Sequence, residues 1–263
     1  MSILPIILLA LLGGIVYIFI NVIIRRLIAK VRSREDYDAD VDGTMTEEEK
    51  KAAEEEKVIE KNKLKIGLKD VLEESRIKFG LVVGLGVILG GLVGYKFGFS
   101  IDTIIFFIFF AILTIITFVD LATMEIPPEL NFIILGLGII NIFTNPEITW
   151  LQRLIGFFCI SGFMLILTLL VKGAFGGGDI KLMAAAGVLL GWKGIVTAFV
   201  FGLFLGAAIG VVLIIRRKKG GKEHMPFGPS LCAGLVAASL FGSQLIEWYI
   251  DLIKLSMSGT YGD

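Results

Sequence analysis

The sequence predicts an all-α polytopic membrane protein with about eight transmembrane helices and a charged cytoplasmic loop after the first. Three observations predict it. The chain is 56% hydrophobic over 263 residues, with a mean hydropathy of +0.85, more apolar than soluble domains of that length. Charge is segregated: Arg25 to Lys78 holds 14 of the 25 Lys+Arg and 15 of the 25 Asp+Glu. The remaining basic residues alternate between successive joints in the way membrane orientation requires. Because charge is so unevenly spread, the net charge of zero describes no real surface and gives no sign of a nucleic-acid partner.

A bilayer core takes roughly 20 apolar residues per helix. Apolar runs place spans at about 3–24, 79–97, 101–119, 129–144, 150–171, 181–192, 194–215 and 228–250. The first run lacks a basic stretch before it, and Arg25 and Arg26 follow it. This order predicts a retained span with its N-terminus outside, not a cleaved signal. The sixth run is short, and only Gly191, Trp192, Lys193 and Gly194 separate it from the seventh. With eight spans, 21 Lys/Arg fall inside, and Lys96, Arg153, Lys193 and Lys254 fall outside. Both termini are therefore expected outside. The parts expected are the first helix at 1–24, a charged loop at 25–78, a seven-helix core at 79–252 and a short tail at 253–263.

Within the loop, Thr46 and Glu49 have capping-box spacing. The opposite charges that follow suit a solvated cytoplasmic helix. The close-spaced glycines Gly80, Gly84, Gly86, Gly90, Gly91 and Gly94 read as helix packing, since small residues let helices approach closely in lipid. Cys159 and Cys232 lie in apolar runs with no CxxC pairing, so neither zinc nor a disulfide framework is expected.

Ionisable groups near membrane depth are costly and usually have a use. Asp120 ends the third span and Asp179 precedes the sixth. Two spans separate them, so parity alone puts both at the cytoplasmic side. Two carboxyls brought within hydrogen-bonding distance share a proton. The ionised one can activate water while the protonated one polarises a peptide carbonyl. No Ser/His or Cys/His set competes, because His224, the one histidine, lies in a basic loop. Gly176, Gly177 and Gly178 would give the backbone before Asp179 unusual conformations and let a substrate strand come close. Asp179 then opens the sixth helix, where a carboxylate is favoured. Pro127 and Pro128 would stop the helix carrying Asp120. Lys181 is two residues from Asp179, a spacing that turns the two side chains apart. These residues leave other readings open: Asp120 as a polar span end with Asp179 as a plain N-cap, or both as groups of a small transporter.

Beyond the physics, GGGDIKLMAAAGVLLGW resembles the GxGD-x-KL motif of the type IV prepilin peptidases. VDLATMEIPPEL resembles their other aspartate motif, with Asp120 followed by Ile126-Pro127. MPFGPSLCAG, with Pro226, Phe227, Gly228 and Pro229, resembles the segment before their last span, and FINVIIRRL resembles the end of their first. The resemblance implies an aspartic endopeptidase of the bacterial cytoplasmic membrane, with Asp120 and Asp179 catalytic. Such an enzyme removes the basic leader of type IV prepilins and pseudopilins ahead of their hydrophobic helix. It implies no cofactor for proteolysis, and membrane lipids as surroundings. Many members also methylate the new N-terminus using S-adenosylmethionine, which would point to the Asn21 and Arg26 end of the first span. Two departures bear on that second activity. No cysteine lies between Arg25 and Lys78, where many members hold a tetracysteine zinc site, and Tyr17 stands where the family has a glycine. The alternatives are a preflagellin-type peptidase without methylation and, from another class, the transporter.

Overall fold

The computed structural model describes residues 3–41, 76–171, 173–216 and 226–258. The expected capping box at Thr46 and Glu49, the opposite charges that follow it, and His224 lie outside the described residues. Helices run in the order α1 (Leu4–Val41), α2 (Arg76–Phe97), α3 (Ile101–Thr123), α4 (Pro128–Thr144), α5 (Trp150–Leu170), α6 (Gly177–Arg216) and α7 (Gly228–Ser258). Five of them are long and apolar enough to cross a membrane, and Pro128–Thr144 and Gly228–Gly242 are shorter apolar helices. Large apolar side chains face outward along them, among them Phe132, Phe143, Leu169 and Phe204. A lipid solvent asks for such a surface, since it does not penalise exposed hydrocarbon.

Among the described residues seven helices become eight arms because α6 breaks at Gly191, where φ is 68° and ψ 176°. A left-handed φ is cheap only for glycine, which explains why the expected turn falls at Gly191 and not at the neighbouring Trp192 or Lys193. Ends elsewhere are set by local chemistry. Gly98, at φ +61°, closes α2 through its N–H to the Gly94 carbonyl at 3.1 Å. Ser100 then caps α3. Its Oγ accepts from the Thr103 N–H at 3.2 Å, and its own N–H donates to Thr103 Oγ1 at 3.3 Å. Thr149 and Gln152 form the same reciprocal cap at the start of α5. Such boxes pair two of the N–H groups that a helix start leaves orphaned.

Two compact units result, residues 1–130 and 131–263. In the first, α1 packs on α2, and both pack on α3. The α1–α2 seam is built from glycine. A side chain at Gly90 would collide with the Leu9 carbonyl oxygen, and one at Gly94 would lie 2.6 Å from the Pro5 carbonyl oxygen. At Gly86 a Cβ would lie 2.6 Å from Tyr17 Cβ. The large side chain of Tyr17 is thus accommodated by a glycine opposite it. Gly80 and Gly84 meet nothing within 4 Å, so only part of the glycine run serves packing.

The second unit is joined in the same way. Gly156 of α5 and Gly187 of α6 touch so closely that a Cβ on either would strike the other's carbonyl oxygen. Gly234 of α7 stands likewise against the Ala198 carbonyl of α6. Arg153, only 2% exposed, gathers one end of this unit. Its Nη2 donates to the Asn141 and Asn145 carbonyls, both at 3.0 Å. Its Nη1 donates to the Val188 carbonyl at 3.0 Å, and Nε to the Ile148 carbonyl at 3.2 Å. Helix ends are short of donors for their carbonyls; one planar guanidinium supplies several here, adding to the Asn145 N–H that the Asn141 carbonyl already accepts at 3.0 Å.

Candidate active site

Asp120 lies in the last turn of α3, in the first unit, and is 4% exposed. The helix ends three residues later, at Thr123. Met124 takes a left-handed φ of 55°, and its N–H closes on the Asp120 carbonyl at 2.8 Å. The stop therefore precedes the prolines, contrary to the expectation that they impose it. Pro127 is buried in the connection, and Pro128 takes the first position of α4. A missing N–H costs nothing there and the fixed φ already suits a helix. Beside this turn, Lys30 Nζ pairs with Glu129 Oε1 at 3.1 Å, joining the far end of α1 to the start of α4. Both side chains are about half exposed, so the pair marks an end of the unit more than it stabilises it.

Asp179, in the second unit, is 8% exposed. It is the third residue of α6 and so sits inside the first turn, not at the cap. The positive end of the helix dipole faces its carboxylate. The three glycines before it work differently from the expectation. Positive φ occurs at Gly173, and at none of Gly176, Gly177 and Gly178, so unusual backbone conformation is not what these three supply, and at Gly176 the missing side chain gives room instead. A Cβ on Gly176 would lie 3.2 Å from Asp179 Oδ2. The carboxylate folds back over the bare glycine, whereas Gly177 faces open space. Lys181 is exposed, in keeping with the helical spacing that turns it from Asp179.

Other sequence-derived residues gather near this turn. The Phe227 ring lies 5.6 Å from that of Phe175, which immediately precedes Gly176. Phe175 is also 6.3 Å from Phe199. Gly206 makes room for Phe227, since a Cβ there would be 2.6 Å from its Cε2. The Phe227 carbonyl accepts from Ser230 and Leu231 at 3.1 and 3.2 Å, opening α7. Pro226 and Pro229 are half-buried around it and Gly228 is buried. The segment 226–229 and the approach to Asp179 thus meet through aromatic rings.

Two residues escaped the sequence reading. Phe175 could have been noticed as the aromatic next to the glycine run. Asn131, 5% exposed, donates from Nδ2 to the Gly178 carbonyl at 3.4 Å, and an Asn in an apolar run was the signal for it. Asn21 and Arg26, by contrast, lie on α1. Asn21 is buried, with Nδ2 bound to the Tyr17 carbonyl at 2.8 Å, while the Tyr17 hydroxyl meets Thr114 Oγ1 at 3.2 Å. Arg26 is exposed.

Residues 107–211 match the type IV leader peptidase family. The match takes in Asp120, Pro127, Asn131 and Gly176 to Lys181, and stops short of Asn21, Arg26 and the 226–229 segment. The chain is 30% identical over 159 residues to a prepilin leader peptidase/N-methyltransferase of Bacillus subtilis, covering 60% of this chain and 64% of that one. It is 29% identical over 179 residues to one from Legionella pneumophila, covering 66% and 62%. A third, from Aeromonas salmonicida, is 30% identical over 149 residues, covering 54% and 50%. The chain thus spans between half and two thirds of the length of these relatives. No solved structure matches it. Through residues 107–211, which include the buried Asp120 near the end of α3 and the buried Asp179 near the start of α6, this chain is similar to the type IV leader peptidase family.

Proposed function

We propose that the chain is an aspartic endopeptidase of the bacterial cytoplasmic membrane. It removes the basic leader from type IV prepilins and pseudopilins at the cytoplasmic face. The observation that carries this reading is the burial of Asp120 and Asp179, each at a helix end and both within the family match. A buried carboxyl is expensive, and a chain that keeps two of them at helix ends has a use for both.

In the proposed reaction one aspartate is ionised and the other holds a proton. The ionised carboxylate takes a proton from water as that water's oxygen bonds to the scissile carbonyl carbon. The protonated partner hydrogen-bonds to the carbonyl oxygen as negative charge develops there. Collapse of the tetrahedral intermediate breaks the C–N bond, and an aspartate returns the proton to the leaving amine. The open space at Gly177 leaves room beside Asp179 for an extended substrate backbone, next to the Phe175–Phe227 pair.

The orientation is supported by the basic-residue bias and by contacts inside each unit. Lys30 meets Glu129, as expected if the segments after α1 and after α3 share a face. At the opposite end α2 and α1 meet through Gly94 and Pro5. In the second unit Asn131 meets Gly178 while Gly138 meets Leu189, so α4 and the first arm of α6 run in the same sense. That arm, Gly177 to Leu190, is 14 residues long and rises only about 21 Å, less than a bilayer core of about 30 Å. Such a short arm suits a carboxyl recessed below the headgroups yet open to water.

The relatives' name also includes N-methylation. At Asn21 the packing does not fit a nucleoside-sized methyl donor. Tyr17 fills the seam against Gly86, and the Asn21 amide already holds the Tyr17 carbonyl. The proposed domain roles follow: α1 with the charged loop as an arm, and the helices from α2 onward as the peptidase core.

The test is cleavage of a purified prepilin by the chain in vesicles, comparing wild type with Asp120→Asn and Asp179→Asn. Each substitution is expected to lower turnover by about 10²–10⁴-fold. Leader removal that survives either change sinks the paired-carboxylate mechanism. The mass of the product N-terminus reads methylation in the same reaction.

A further inference from the structure

The first turn of α6 presents a problem that its own sequence does not solve. Asp179 follows three consecutive glycines, the residues that restrain a backbone least. A catalytic carboxyl must nevertheless be held to within a fraction of an ångström. Asn131 reaches this turn from α4. Its Nδ2 donates to the Gly178 carbonyl at 3.4 Å, which belongs to the peptide unit joining Gly178 to Asp179. Orientation of the side-chain amide follows from chemistry, because a peptide carbonyl only accepts and must be faced by the NH₂ group.

Turned that way, Asn131 leaves Oδ1 buried and with no hydrogen-bond partner among the described residues. A leucine has nearly the same shape and carries no polar atom to desolvate. An unmatched buried acceptor on an apolar helix therefore needs a reason, and the bond to Gly178 supplies one. We propose that Asn131 is a positioning residue of the peptidase: it fixes the Gly178–Asp179 peptide plane and, through it, the Asp179 carboxyl. The inference rests on the proteolytic role given to Asp179 above.

The experiment uses the full chain in phosphatidylethanolamine/phosphatidylglycerol vesicles with a purified prepilin, and steady-state rates for wild type, Asn131→Leu, Asn131→Asp and Asp179→Asn. Asn131→Leu removes donor and acceptor with little change of shape. Asn131→Asp keeps shape and polarity but replaces the NH₂ donor. Both are expected to lower kcat by about ten-fold or more with KM within about two-fold, since misplacing a reacting group slows chemistry without loosening binding. Their thermal unfolding should stay near that of wild type. A folded Asn131→Leu with wild-type kcat overturns the proposal, as does unchanged kcat with raised KM, which would make Asn131 a substrate contact. If Asn131→Leu does not fold, Asn131→Asp decides by the same readouts. Cleavage by Asp179→Asn overturns the peptidase reading and this inference together, whereas inactive Asp179→Asn beside fully active Asn131→Leu removes only the positioning role.

Discussion

Replacing Arg153 by lysine keeps the charge and removes the fork. In the structure the guanidinium donates to the carbonyls of Asn141, Asn145, Ile148 and Val188 at 3.0 to 3.2 Å, with Leu189 at 3.5 Å. An ammonium has three donors around one point and cannot reach groups spread over the end of α4, the following loop and the break in α6. At least two of these carbonyls lose their charged donor. A hydrogen bond to a charged group contributes about 1.5–3 kcal/mol, so the expected loss is about 3–6 kcal/mol. The assay is denaturant unfolding in mixed micelles, followed by far-ultraviolet circular dichroism and by tryptophan fluorescence, to which Trp150 and Trp192 beside the clamp contribute. Lysine serves orientation as well as arginine does. If Arg153 acted only as an outside charge, Arg153→Lys would be neutral. A loss below about 1 kcal/mol would therefore refute the clamp.

Packing predicts opposite outcomes for two glycines of α5. Gly156→Val drives a side chain into the Gly187 carbonyl and should destabilise by about 1–3 kcal/mol or more. Gly162→Ala meets nothing within 4 Å and should stabilise by up to about 1 kcal/mol through helix propensity, both read from unfolding midpoints. At the site, Gly176→Ala presses on Asp179 Oδ2 while Gly177→Ala enters open space. The first should therefore lower prepilin cleavage more than the second, and equal effects would remove the steric account. A double-mutant cycle with Phe175→Ala and Phe227→Ala should give a coupling of about 0.5–1.5 kcal/mol in unfolding, and a coupling near zero would separate the two segments.

Much of this architecture was legible because it follows from solvent. A bilayer demands long apolar helices, so the runs around Leu4–Arg32, Ile101–Thr123 and Trp150–Leu170 announce themselves, and basic residues declare the joints. A break in α6 was readable as a four-residue gap between apolar runs with a glycine at each end, Gly191 and Gly194, and the fold placed it at Gly191. The two aspartates stood out as ionisable groups at helix ends, and span parity put them on one expected face without any knowledge of relatives.

What the sequence left undecided depends on which atoms meet. Composition treats Arg153 as an outside charge, whereas folding buries it among carbonyls gathered where α4 ends and α6 breaks. Periodicity offers Gly80 and Gly86 as equals, and only the crossing of α1 and α2 makes Gly86 indispensable, by laying Tyr17 over it. The glycines before Asp179 suggested special backbone angles, yet they give room, since the carboxylate folds back on Gly176. Asn131 carried no motif by itself. Its meaning comes from an amide 47 residues away in sequence from the carbonyl it holds, a relation that hydropathy cannot encode and that packing of α4 on α6 creates.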